Sequence, residues 1–365
     1  MKLNEIIRIL EEIAPSEYAM PKDTIGLQVG DPEREINRVI VSVDATPAVI
    51  EEAARRSAEL IIAHHPLIYC PMPSVRADVY PQSLVHRLVS AGIALYTMHT
   101  NLDAAEGGIN DVLAARLGIV DTKVLEPTHT GKMFKLVVFV PEEAIDAVRD
   151  TLAEAGAGAI GNYSHCSFQS PGTGMFKPLE GARPYLGEVG ELERTPEIRL
   201  EVIVPEANLH DAISAMVAAH PYEEVAYDVY PLWNKGETHG IGVYGRLRTP
   251  MTFDGFCEMV RDVLEVDDAR IAGDPEAQIS TVAVIGGAGG SRIDLVHSKG
   301  VDAFVTGDVR HHEFLQARAL GLNIIDATHF RTERPGMLAL APRLQDLLSS
   351  EGVAVEYVDD VTLGG

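Results

Sequence analysis

The sequence predicts an α/β protein: a duplicated mixed-sheet α/β domain interrupted by a ferredoxin-like α+β insert. Three observations carry this. Strand and helix patterns alternate at both ends of the chain, which calls for largely parallel strands covered by helices on both faces. The segment VIVSVDATPAVIEEAARRSAELIIAHHP (residues 39–66) has a counterpart in VAVIGGAGGSRIDLVHSKGVDAFVTGDVRHH (residues 282–312). Each reads as strand, loop, helix, strand and a polar loop with paired histidines. Between them, FKLVVFVPEEAIDAVRDTLAEAG (residues 134–156) repeats as IRLEVIVPEANLHDAISAMVAAHP (residues 198–221).

The chain opens with MKLNEIIRILEEIAP, where acids punctuate the apolar positions. That pattern is an amphipathic helix rather than a signal peptide, which needs an unbroken apolar stretch. In the central repeat each strand ends in Val-Pro-Glu, and acidic residues at a helix start suit the freed amides and the macrodipole there. Each copy then leads into another strand, GNYSHCSF and EEVAYDVYPL. Two strand-helix-strand units in tandem predict a ferredoxin-like domain. The predicted division is residues 1–129 for the first half of the α/β domain, 130–245 for the insert and 246–365 for the second half.

Composition narrows the classes of function. A chain of 365 residues is too long for one ordinary core and suits two domains. Asp and Glu number 54 against 30 Lys and Arg, a formal charge of -24. That field repels phosphate backbones and argues against nucleic acid as a partner. A small anionic substrate stays compatible, because bound cations can reverse the local potential. The longest apolar runs are far short of a bilayer span, so the expectation is a cytoplasmic protein without a membrane partner. Cys70, Cys166 and Cys257 are widely spaced and form no CxxC pair, which reads as free thiols in a reducing compartment.

In open parallel sheets ligands gather at the carboxyl ends of strands. Those ends carry His64 and His65 after ELIIA, His99 and Asp103 after IALYTM, Asp308, His311 and His312 after DAFVTG, and His329 with Glu333 after LNIIDAT. Adjacent histidines inside a strand point to opposite faces, so both serve one site only if the strand has ended; Pro66 supports that ending. His329 and Glu333 are four apart, on one face of a helical turn. Taken singly, each pair has an ordinary structural reading. Together on one rim they predict a site for a pair of divalent ions held by His64, His65, Asp103, His329 and Glu333. Imidazole with carboxylate suits zinc, iron, manganese or cobalt better than calcium or magnesium. His99, Asp308 and His312 are candidate catalytic groups that move protons or orient ligands, each with an equally good structural reading. Gly286 to Ser291, GGAGGS, reads either as a phosphate cradle or as a tight turn. Gly172-Thr173-Gly174 reads as a hairpin loop, and Trp233 as packing or interface.

The motifs IGLQVG, LIIAHHPLIY, HTNLDAAEGGINDVLA, VAVIGGAGGS, VTGDVRHHEF and DATHFRTE, in that order, resemble those of the dinuclear-metal-centre hexamer family, commonly labelled GTP cyclohydrolase 1 type 2 homologue or Nif-three-like. The resemblance covers nearly the whole chain. SFQSPGTGMFKP and AAHPYEEVAYDVYPL resemble the PII-like or CutA-like insert of its longer bacterial members. The resemblance places the family's metal ligands on the same five residues and implies a toroidal homohexamer. Many members carry a tryptophan-asparagine pair shortly before GLQVG, where this chain has Asp23-Thr24-Ile25; the departure bears on packing or a substrate wall, not on the metals. The activity that the resemblance implies is metal-assisted hydrolysis of a purine nucleotide or related heterocycle, GTP in its specific form. The alternative is a metal-binding regulatory protein whose PII-like insert takes a small effector.

Overall fold

A computed structural model describes residues 1–363 and divides them into two units, Met1–His129 with His239 onward, and Thr130–Thr238. In chain order the elements up to the division are α1 (Leu3–Ile13), β1 (Gly26–Val29), β2 (Arg38–Ser42), α2 (Pro47–Arg55), β3 (Leu60–Ala63), α3 (Gln82–Ala91), β4 (Ala94–Thr97), α4 (Thr100–Ala104) and α5 (Ile109–Arg116). The long strand β5 (Ile119–Val140) then runs past His129; α6 (Ile145–Glu154), β6 (Ser167–Phe176), β7 (Glu193–Pro205) and α7 (Glu206–Ala219) come next, and β8 (Tyr227–Thr252) runs past Thr238. The remainder comprises α8 (Phe253–Leu264), β9 (Arg270–Ala272), β10 (Gln278–Ala288), α9 (Ile293–Ser298), β11 (Ala303–Gly307), α10 (His311–Ala319), β12 (Asn323–Asp326), α11 (His329–Leu348) and β13 (Ala354–Tyr357).

The first unit is mixed α/β, and each half of the predicted duplication builds its own mixed sheet. The first sheet has the order β1-β4-β3-β2-β13, parallel except where β1 meets β4. In the second, β10, β11 and β12 are parallel, flanked by antiparallel β8 and β9. The halves are not independent, because the final strand β13 returns to pair with β2 in register Val355 to Val39. Burial on both faces explains why these strands read as continuous apolar runs. In the first sheet Val39, Val41, Leu60 and Ile62 pack with Leu3, Ile6 and Leu10 of α1 and with Met337, Leu340 and Leu344 of α11. Ile40, Ile61 and Leu95 face the other way, towards Val49 and Ile50 of α2 and Leu84 and Leu88 of α3. The second sheet repeats the alternation: Val282 and Val284 pack with Phe256 and Val260 of α8, while Ala283 and Ile285 pack with Val296 and Ala317.

Two polar ties fix where the strand ends lie. Thr46 caps α2 by accepting the Val49 amide at 3.2 Å, with Pro47 pre-set at the first helical position. Buried Asn110 on α5 accepts the Gly286 amide at 2.8 Å and donates to the Asp103 carbonyl at 2.8 Å, joining segments from both halves. At Gly336 an added Cβ would lie 2.6 Å from Ile109 Cδ1, so glycine there lets α11 close on α5.

The second unit holds strands in the order β6-β7-β5-β8 with helices α6 and α7. β7 pairs antiparallel with both β5 and β6. Leu136, Val138, Leu200 and Val202 pack there with Val148 and Leu152 of α6 and Ala212 and Met216 of α7. Gly172-Thr173-Gly174 lies within β6, paired with Pro196 and its neighbours on β7, and is not the hairpin loop its glycines suggest. Trp233 is 101% exposed and packs into no core. Among the described residues no helix is long and apolar enough to cross a membrane.

Asn110→Ala leaves a buried amide and a carbonyl without partners and should lower stability by about 1–3 kcal/mol. A urea midpoint shift at unchanged slope measures it; an unshifted midpoint would show that the tie carries no stability.

Candidate metal centre

The first unit gathers four imidazoles and two carboxylates at its strand ends. His64 and His65 leave β3, His99 and Asp103 come after β4, and His329 and Glu333 occupy the first turns of α11. One ring nitrogen from each of His64, His65 and His99 lies within 4.8 Å of the others, and so do one ring nitrogen each of His65 and His329 and a carboxylate oxygen of Glu333. Glu333 is the hub. Its Oε1 lies 3.5 Å from His64 Nε2 and 3.1 Å from His329 Nε2, and its Oε2 lies 3.1 Å from His65 Nε2. Asp103 Oδ1 lies 3.7 Å from His64 Nε2.

Behind the rings, every Nδ1 is committed to an oxygen. His64 meets the Met98 carbonyl at 2.8 Å, His65 meets Asp44 at 2.8 Å, His99 meets Asp23 at 2.9 Å and His329 meets Asp308 at 2.7 Å. Such partners fix the tautomer with the proton on Nδ1 and turn each Nε2 lone pair forward. The forward nitrogens are then left facing one another, with His65 Nε2 3.1 Å from His329 Nε2. His64 Nε2, Asp103 Oδ1 and Glu333 Oε2 are all buried without a hydrogen-bond partner. Orphaned acceptors of this kind are costly unless positive charge joins them.

The titration behaviour says the same. Burial opposes a charge on His65, but Asp44 and Glu333 overcome it and raise the ring to about 10. The hydrogen bond that the His329 ring donates to Glu333 leads in raising His329 to about 9. Burial lifts Asp103 to about 6. Burial also opposes the charge on Glu333, yet the surrounding histidines hold it well below the ordinary carboxylate range. Without a metal the cluster draws protons in; with one, those protons must leave. The donor set of imidazole and carboxylate suits a first-row divalent ion.

The structure therefore brings together His64, His65, Asp103, His329 and Glu333, and adds His99 to the facing rings. Asp308 stands behind His329 as its partner. His312, exposed at the start of α10, belongs to neither group of candidate ligands among the described residues. Asp44 and Asp23 escaped the sequence reading, since nothing in either sequence neighbourhood names a histidine partner 21 or 76 positions away. Asp23 is held below its usual range: burial opposes ionisation, but hydrogen bonds from His99 and Thr100 prevail. The glycine-rich loop is no phosphate cradle. The amides of Gly286, Gly287 and Gly289 are taken by Asn110, Thr332 and Thr306. Its glycines serve close approach: a Cβ on Gly287 would sit 2.2 Å from Glu333 Oε1 and 3.0 Å from His329 Nε2.

Residues 1–361 match the Duf34/NIF3 (NGG1p interacting factor 3) family. The chain belongs to the NIF3 family. Among its relatives, the GTP cyclohydrolase 1 type 2 homolog of Bacillus subtilis is 44% identical over 326 residues, 89% of this chain and 87% of the relative. The protein of the same name from Halalkalibacterium halodurans is 42% identical over 353 residues, 97% of this chain and 95% of its own. The crystal structure of a Bacillus cereus protein related to NIF3 superposes with a TM-score of 0.90 at 43% identity, covering 98% of this chain and 96% of that one. The NIF3 fold, with its two mixed sheets, is thus common ground between this chain and a solved relative.

Gly287 has φ +66° as well as the close carboxylate, whereas Gly118 at φ +67° has nothing within 4 Å. Gly287→Ala should therefore cost about 1–3 kcal/mol, against about 1–2 kcal/mol for the strain alone in Gly118→Ala. The loss of the metal-free protein's urea midpoint in each variant tests the crowding; equal losses would remove the steric argument.

Proposed function

We propose that this NIF3 protein binds a pair of divalent metal ions and hydrolyses a purine nucleotide or related heterocycle, with GTP as the first candidate substrate. The supporting observation is the convergence of histidine Nε2 atoms on two buried, unpartnered carboxylate oxygens. His64, His99 and Asp103 would hold one ion and His65, His329 and Glu333 the other, with Glu333 within reach of both groups. Bound there, zinc, iron, manganese or cobalt supplies Lewis acidity and a water of lowered pKa. The protein's own part is positional: Asp44, Asp23, Asp308 and the Met98 carbonyl fix the rings, and the glycine loop keeps the rim open. The homolog name carried by the relatives supports GTP as the substrate. The homohexamer implied by family resemblance belongs to the same reading and is checked by sedimentation.

A second reading has its own observation. The inserted unit, whose strand order β6-β7-β5-β8 with two helices supports a ferredoxin-like, PII-like module, carries an open cavity lined wholly by its own residues. It would make the insert an effector site and the protein a metal-binding regulator.

The separating test incubates full-length protein, loaded with about two ions per chain, with GTP and tracks products by mass. A ring-opened or hydrolysed product that disappears in Glu333→Gln is expected. No product from the loaded wild type would overturn the hydrolase and leave the regulator. Asp308→Asn should weaken metal binding about 10- to 100-fold, as loss of a ligand's orienting partner does. Competition against a chelating dye reads it; unchanged affinity would show that Asp308 does not set the His329 ring.

A further inference from the structure

The cavity in the inserted unit measures about 690 Å³, within the range of small-molecule sites. Strand β6, the chain just beyond it, the segment after α7, and Glu197 and Arg199 of β7 with Phe139 of β5 form its walls. Phe176 and Tyr185 flank Tyr222 with ring centroids 6.0 and 5.9 Å away, tilted by 57° and 45°. Tilted rings form a corner, whose negative faces suit a compact positive charge.

One buried acid opens on this corner. Glu197 is 8% exposed and accepts the Tyr222 hydroxyl at 2.9 Å. Burial and the neighbouring carboxylate raise the Tyr222 phenol, so it stays a donor. Gly174 makes room for the carboxylate, since a Cβ there would lie 2.1 Å from Glu197 Oε2. Glu197 makes no ion pair among the described residues. Arg199, also in the wall, is paired with Glu201 at 3.2 Å. His220 contacts Tyr222, and burial lowers its pKa, so it brings no compensating charge. Lys177 is exposed at the rim, as are Glu223 and Glu224. Glu197 thus lines the cavity with one neutral side-chain donor and no cation beside it, which leaves its charge for a ligand to meet.

We propose that this cavity binds a small organic cation, a substituted ammonium on an apolar body. The charge lies against Glu197 within the corner of Phe176, Tyr185 and Tyr222, and the apolar body lies along Met175 and Leu179. The inference rests on the reading of the insert as an effector site and is independent of the hydrolase reading.

Calorimetric titration of the full-length chain with benzyltrimethylammonium, benzyl alcohol and benzoate tests the class. The cation should bind about tenfold or more tighter than the neutral and anionic probes. Glu197→Gln should abolish that preference. Tyr185→Ala, at an exposed ring whose loss spares the core, should weaken the cation several-fold, and Glu333→Gln should leave binding unchanged. Equal or tighter binding of benzyl alcohol or benzoate, or a preference that survives Glu197→Gln, would overturn the cation and leave an effector site of another class. No binding of any probe would overturn both, and loss of binding in Glu333→Gln would relocate the probe to the histidine cluster and overturn the proposal.

Discussion

The structure of the first unit is organised around a set of imidazoles whose back nitrogens are all spoken for. The Met98 carbonyl and the carboxylates of Asp44, Asp23 and Asp308 hold the Nδ1 atoms. Each Nε2 is thereby aimed at a place where Asp103 and Glu333 carry negative charge away from water. Repulsion between lone pairs and between buried acids makes that arrangement unfavourable by itself. It is stable only with positive charge inside, supplied by protons or by metal ions.

That constraint explains features elsewhere in the fold. Strands buried on both faces end at one rim, so a few residues past each end suffice to deliver a ring or an acid. Asn110 links the Asp103 segment to β10, and Gly287 brings the β10 end within contact of Glu333 without a side chain between them. Gly336 allows α11, which carries His329 and Glu333 at its start, to lie close to α5. The return of β13 to β2 fixes the far end of the chain segment that includes this helix.

Much of this was legible in the sequence because it is local. Pro66 marks the end of β3 and so frees both His64 and His65 to face one site; the four-residue spacing of His329 and Glu333 is a helical repeat. The repeated halves gave the mixed α/β architecture. Features that were not legible depend on distant partners. GGAGGS contains the right glycines for an anion cradle, and only Asn110, Thr332 and Thr306, remote in sequence, decide that its amides are occupied. Gly172-Thr173-Gly174 looked like a turn because glycine disfavours strands, yet pairing with β7 overrides that propensity. Asp23 and Asp44 carry no local mark of their histidine partners, and His99 could be placed among the facing rings only once the strands were assembled.

The central claim is that the cluster takes divalent ions, and cobalt titration of the metal-stripped chain tests it most directly. Saturation is expected at about two equivalents, with visible ligand-field bands and release of protons on binding. A folded protein that binds no cobalt, and shows neither bands nor proton release, would contradict it.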